Sequence, residues 1–265
     1  MGSIFKTSII FICLLTNTLL LVGSTPKKDI DHILVISAYA DSNPWSNGFI
    51  TPIVTMASQD STIGAYTMNL NMFALQNAKD VDKFEASICE MLPSTPPKIV
   101  VFIGNASFVF CDNLNKIWPD IPMLLCGERD YTGPDSLIIQ AHALAPQQRI
   151  PISDLQKTMN LTMLYANLYI EENLQLMRQL IPQMKKVVYI GDGTYICQQN
   201  DYDLSETIRQ KHPELEYQFI SAENTSTDSL FTILRQQNPL TTGFLFSSWL
   251  RKKDYEDNLV MTSNS

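Results

Sequence analysis

Residues 98–104 read Lys-Ile-Val-Val-Phe-Ile-Gly, five bulky apolar residues in a row closed by a glycine. A strand with one wet face alternates apolar with polar; an unbroken run is apolar on both faces and needs cover on both. That is the situation of a parallel strand between two helical layers. The same kind of run occurs at Ile33-Leu34-Val35-Ile36 and at Lys186-Val187-Val188-Tyr189-Ile190. Between such runs the apolar spacing changes from two to three and four, as at Val81, Phe84, Ile88 and Met91 and again at Leu174, Met177 and Leu180. Strands alternating with helices imply parallel sheets joined by right-handed crossovers.

Taken in order, the first half predicts strands over 32–37, 63–70, 98–104 and 121–126. Helices are expected over 46–58, 80–91 and 108–118, with Pro52 in the first turns of the first helix, where proline is tolerated. Residues 130–154 break the pattern with Gly133-Pro134, Pro146 and Pro151. A short strand near 137–140 is expected there, followed by a strand over 159–165 that crosses between lobes. The alternation then resumes, with helices over 169–180, 203–211 and 227–237 and strands over 186–190, 216–220 and 242–247. The expected architecture is α/β, with two Rossmann-like lobes, each on a parallel sheet. Residues 30–130 form lobe 1, 131–168 a crossover and hinge region, and 169–265 lobe 2.

Residues 1–24 stand apart. Lys6 precedes a mostly apolar run from Ile9 to Val22, and Val22-Gly23-Ser24 supplies small residues for cleavage. The run is shorter than the roughly 20 residues that span a bilayer. A cleaved secretory signal is expected, with an uncleaved anchor as the alternative. Four cysteines follow, Cys89, Cys111, Cys126 and Cys197. None lies in a CxxC pair, which argues against zinc. Cys111 and Cys126 are free to pair in an oxidising compartment, or all four are buried thiols. Asn105, Asn160 and Asn224 each open an Asn-x-Ser/Thr triplet.

The formal net charge is −8, and the basic residues are scattered, which argues against a nucleic-acid groove. There is no GxSxG elbow and no P-loop. Gly191-Asp192-Gly193 starts like a dinucleotide fingerprint but reaches Ile196 where the third glycine belongs. His32, His142 and His212 are the only histidines. His32 opens a strand and His212 ends a helix, so surface or capping roles are expected for both. No cofactor or metal is implied.

Polar and aromatic residues collect instead at the carboxyl ends of the predicted strands, where open α/β sheets hold ligands. Lobe 1 supplies Tyr39, Asp41, Ser42, Asn43 and Trp45, then Asn105 and Ser107, then Glu128 and Tyr131. Lobe 2 supplies Asp192, Thr194, Tyr195, Ser248 and Trp249. Aromatics stack on flat or sugar-like ligands, and carboxylates and amides orient them. The competing expectation for each residue is a turn or cap, work that Asp, Asn and Ser do in any fold.

Three stretches carry a family resemblance: VISAYADSNPWSNGF, ENLQLMRQLIPQMKKVVYIGDGT and FLFSSWLRKKDYED. They resemble the extracytoplasmic, periplasmic-binding-protein-like sensor domains of bacterial hybrid sensor histidine kinases of the Bacteroides type. These are in turn related to substrate-binding proteins of ABC importers. The resemblance implies a type I periplasmic-binding-protein fold, with a small ligand bound between the lobes and the loops 41–45 and 248–251 facing the cleft. The sequence departs from that family in two ways: the residues after Trp249 are too few to finish both sheets, so an incomplete second lobe is expected, and there is no phosphoacceptor histidine box or ATP lid, so no kinase core is expected in this chain. The expected setting is periplasmic, with the membrane reached through a parent receptor or importer and a homodimer as a possible assembly. A free importer-type binding protein is the alternative function, and an enzyme on the same fold a third.

Overall fold

The computed structural model describes residues 30–41, 43–72, 83, 86, 95–249, 251–253 and 259–261. The chain divides into two units, Met1–Ile30 and Asp31–Ser265. The second unit holds both parallel sheets, and its elements follow in chain order. They begin with β1 (Asp31–Ser37), α1 (Pro44–Gln59), β2 (Ile63–Asn69), β3 (Ile99–Ile103), a 3-10 segment (Asn105–Phe110) running into α2 (Cys111–Ile117), and β4 (Met123–Gly127). The connecting region holds β5 (Tyr131–Thr132), α3 (Asp135–Ile139), β6 (Ile150–Pro151), α4 (Ile152–Leu155) and β7 (Leu161–Tyr165). Then come α5 (Ile170–Leu180), β8 (Lys186–Gly191), α6 (Tyr195–Lys211), β9 (Glu216–Ser221), α7 (Thr227–Gln236), β10 (Thr242–Phe246) and the short pair β11 (Arg251–Lys253) and β12 (Leu259–Met261).

The first sheet is wholly parallel, in the order β2-β1-β3-β4-β7. Because side chains alternate across a strand, one apolar run feeds two cores. Leu34, Ile36, Val100, Phe102, Met123 and Leu125 pack on one face against Phe108, Phe110 and Leu114. Val35, Val101, Ile103 and Cys126 pack on the other, against Trp45, Phe49, Ile50 and Ile53 of α1. The second sheet, β10-β8-β9, is also parallel. Its faces are covered by Leu174, Leu204 and Ile208 on one side and by Leu230, Ile233 and Leu234 on the other. The architecture is therefore α/β with two parallel sheets, in keeping with a Rossmann-like fold.

Several expectations need correction. Pro52 lies in the interior of α1, not its first turns, since Asn43 caps the helix two turns earlier by accepting from Ser46 N at 3.0 Å. Residues 137–140 are not a strand; Asp135–Ile139 is a helical turn that buries Ile138 and Ile139. The strand near 159–165 does not cross between lobes but pairs with β4 as the last strand of the first sheet. Helix α6 begins at Tyr195, eight residues before the expected start, because Thr194 caps it by accepting from Cys197 N. His32 is not at the surface: it is buried, with its ring edge-on to Tyr66 at 5.3 Å. The helix expected over 80–91 lies outside the described residues except for Lys83 and Ala86, both helical.

Cys111, Cys126 and Cys197 are free and buried, and Cys89 lies outside the described residues. The Cys111 thiol sits 3.6 Å from the Met123 sulfur, and burial pushes its pKa up to about 12. Such a thiol is inert as a nucleophile.

Candidate ligand-binding site

The order β2-β1-β3-β4 reverses direction between β1 and β3, so the crossovers on either side leave a crevice at the carboxyl ends of those two strands. Tyr39 and Asn105 stand at that point. Gly104 has φ +83°, and a Cβ there would lie 2.7 Å from Tyr39 Cε2, so only glycine lets the ring lie against the backbone. The carboxyl ends of β8 and β10 come to the same region and bring Asp192, Thr194, Tyr195 and Ser248.

The two sets do meet. Tyr39, Asn105, Thr194 and Tyr195 share the wall of one cavity with Ala38, Ala106, Ile138 and Ile139. The cavity is only about 30 Å³, room for a water or two. Burial, and after it the nearby Glu128 carboxylate, hold the Tyr39 hydroxyl well above the ordinary phenol pKa. Burial also raises the Glu128 carboxyl, against a smaller opposing effect of Arg129. Asp192 is fully buried; its carboxylate accepts from Thr194 N at 3.1 Å and from Ser248 Oγ at 2.7 Å. Tyr195 is 5% exposed, and its hydroxyl has no hydrogen-bond partner among the described residues.

Other predicted residues turn out to build the frame. The Asn105 side chain is buried. Its Nδ2 donates to the carbonyls of Arg129 and Tyr131, and its Oδ1 accepts from the N–H groups of Glu128 and Arg129. It is a staple for the turn after β4, and an amide so enclosed cannot carry a glycan. Ser107 donates to Gly104 O within the same turn. Asn43 is a helix cap. Trp45 packs between Tyr39 (5.3 Å) and Phe49 (5.0 Å) on the α1 side of the sheet. Trp249 packs on the α7 side of the second sheet and donates to Thr227 Oγ1. Asp41 is exposed and Ser42 lies outside the described residues. Asn43, Trp45 and Trp249, expected in the cleft, line none of the cavities described here.

The larger space lies one strand further along, at the ends of β4 and β7 against the flank of α6. It measures about 380 Å³, near the lower end of the roughly 300–1,000 Å³ of small-molecule sites. Its wall includes Arg129, Tyr131, Arg149, Tyr165, Tyr169 and Tyr202. Asp203 of α6 is the hub beneath it. Arg149 Nη2 donates to Asp203 at 2.6 Å, Tyr131 Oη donates at 3.2 Å, and Arg129 Nε lies 3.2 Å away as an ion pair. Arg129 also donates to Asn200, and Gln199 Oε1 accepts from Leu144 N at 2.7 Å. The Arg149 guanidinium lies 4.4 Å from the Tyr131 ring centroid, in cation–π range. Burial, then Asp203, pushes the Tyr131 hydroxyl up to about 12. These bonds tie the connecting region 129–149 to a helix of the second sheet.

Of this wall the sequence points only to Tyr131. Arg129, Arg149 and Asp203 are far apart in sequence and belong to no motif. The signal that was present is local: Gln199, Asn200 and Asp203 all fall on one helical face once Thr194 is read as the cap. Among the described residues no group of three His, Cys, Asp or Glu side chains could hold a metal ion, and no helix is long and apolar enough to cross a membrane. Comparison with family models, with curated proteins and with solved structures finds no match to this chain.

Proposed function

We propose that this domain binds a small molecule at the strand ends between its two parallel sheets, and that binding serves as the input of an extracytoplasmic sensor of the histidine-kinase type. The observation that carries the binding part is the 380 Å³ cavity, whose wall is shared by the first sheet's strand ends and by α6. A ligand there touches both sides of the Asp203 cluster, so it has a differential affinity for arrangements in which the two sides are together or apart. That coupling is what a sensor requires. The sensing assignment itself rests on the sequence resemblance, as do export and the membrane-bound parent. A free importer-type binding protein would use the same site, and the neighbouring genes separate the two: a kinase frame favours the first, permease and ATPase genes the second.

The full chain is titrated by calorimetry against a library of metabolites, and each hit is repeated with Tyr202→Ala and Trp45→Ala. Saturable binding that Tyr202→Ala weakens and Trp45→Ala spares supports the site. Hits insensitive to Tyr202→Ala count against it. Chemical conversion of a bound hit, followed by mass spectrometry, would replace the binding role with an enzymatic one.

A further inference from the structure

A third cavity lies against the second sheet, lined by the start of α5, by α6 and by the carboxyl ends of β8 and β10. It measures about 210 Å³ and shares only Leu168 and Ile170 with the larger cavity. Its chemistry is different. Leu168, Ile170, Leu204, Leu245 and Phe246 make the wall mostly apolar, and none of its nine described lining residues carries a charge. The nearby Arg129 guanidinium donates to Asn200 and is already paired with Asp203. A charged ligand would lose its hydration in this cavity and gain no counter-ion, which disfavours it strongly.

An apolar cavity of about 150 Å³ holds benzene. At about 210 Å³ there is room for one six-membered ring with a short substituent, and too little for the drug-sized ligands of roughly 300–1,000 Å³ sites. Phe246 is 65% exposed, so most of a phenyl ring stands uncovered on the rim. The polar part of the wall is small. Tyr189 is 4% exposed and its ring stacks on Phe219 at 5.3 Å, which fixes its place. Its hydroxyl makes no hydrogen bond of ordinary geometry to its polar neighbours Asn200, Ser247 and Cys197. Burial first, and the Cys197 thiol after it, raise the pKa of that hydroxyl far above the phenol value, so it stays uncharged and can both donate and accept. Asn200 gives its carbonyl oxygen to Arg129, which leaves its amide N–H groups as donors. A buried hydroxyl without a partner is costly, and a ligand oxygen that completes its bonding removes that cost.

We infer that the cavity among α5, α6 and the ends of β8 and β10 is a second ligand site, for a neutral monocyclic aromatic of the phenol class, with its ring on the apolar wall and its hydroxyl on Tyr189 and Asn200. The full chain is titrated by calorimetry with phenol, p-cresol and benzyl alcohol. Toluene serves as the ring alone, cyclohexanol as the saturated counterpart, and benzoate and benzylamine as charged ones. The expected result is saturable binding of at least one of the three hydroxylated aromatics, about fivefold tighter than toluene and about tenfold or more tighter than benzoate and benzylamine. Tyr189→Phe removes only an unpartnered hydroxyl, so the fold is kept; it should bring the hydroxylated ligand down to the level of toluene and leave toluene unchanged. Phe246→Ala, at an exposed position, should weaken every aromatic by about threefold or more. Equal binding of benzoate or benzylamine overturns the neutral class, and equal binding of cyclohexanol the aromatic one. Toluene binding as tightly as the hydroxylated ligands overturns the role of Tyr189. Binding untouched by both Tyr189→Phe and Phe246→Ala, or lost in Tyr202→Ala, puts the ligand elsewhere and overturns the site, as does no saturable binding by any of the three.

Discussion

Replacing Asp203 by asparagine tests how the connecting region is held to the second sheet. The substitution keeps the shape and removes the charge that Arg129 and Arg149 share. The Arg129 side chain is 6% exposed and that of Asp203 is 18% exposed, so water screens the pair little. Removing one partner of such a buried pair costs on the order of 3–5 kcal/mol, because the other charge stays buried without compensation. The Asp203–Arg149 pair is the more open half, at 23% on the arginine side, which places the expectation near the lower figure. For a domain of this size about 3 kcal/mol corresponds to a fall in Tm of roughly 6–12 °C. Urea denaturation of the full chain measures it, followed by circular dichroism and by tyrosine and tryptophan fluorescence. Arg149→Met on its own should cost less, and the double variant Asp203→Asn/Arg149→Met should cost less than the sum of the singles. A loss below about 0.5 kcal/mol for Asp203→Asn, the level of an ordinary surface substitution, would refute the hub.

Other expectations are equally open to measurement. Asn105→Ala strands two carbonyls and two N–H groups in the turn after β4 and should destabilise by about 2–4 kcal/mol in denaturant titration. Gly104→Ala combines a φ of +83° with a Cβ 2.7 Å from the Tyr39 ring, and should cost about 1–3 kcal/mol. The raised Glu128 carboxyl means that the folded state binds its proton more tightly than the unfolded state does. Stability should therefore fall as pH rises from below the ordinary glutamate pKa through the raised one, and Glu128→Gln should remove that part of the slope and stabilise the protein at neutral pH. Cys111, held near 12, should resist alkylation at pH 8 in the folded chain and react once urea unfolds it; rapid native labelling would contradict its burial.

The strands were legible because their cause is local. A run such as Ile99–Ile103 has no exposed face, so it reads as a covered strand whatever surrounds it, and β1, β3, β8 and β10 fell within a residue or two of expectation. Helix starts were less so. Tyr195 to Tyr202 carries too few apolar residues in regular spacing to announce a helix; the cap at Thr194 and burial against the first sheet's connecting region make it one. The aromatic residues misled for a related reason. Trp45 and Trp249 stand next to polar loops in sequence, but each ring has more apolar area to bury than a loop can offer, so each packs onto a sheet face instead.

The sequence alone determined that this chain alternates strands and helices, that its sheets are parallel, and that its polar residues gather at strand ends. Only the tertiary structure decided which of those ends enclose space. Arg129, Arg149 and Asp203 lie up to 74 positions apart, from 129 to 203, and a charge is tolerable in a near-dry setting only where its partner is delivered by the fold. No pattern along the chain encodes that meeting, because the attraction acts through space between segments that crossovers and sheet order bring together.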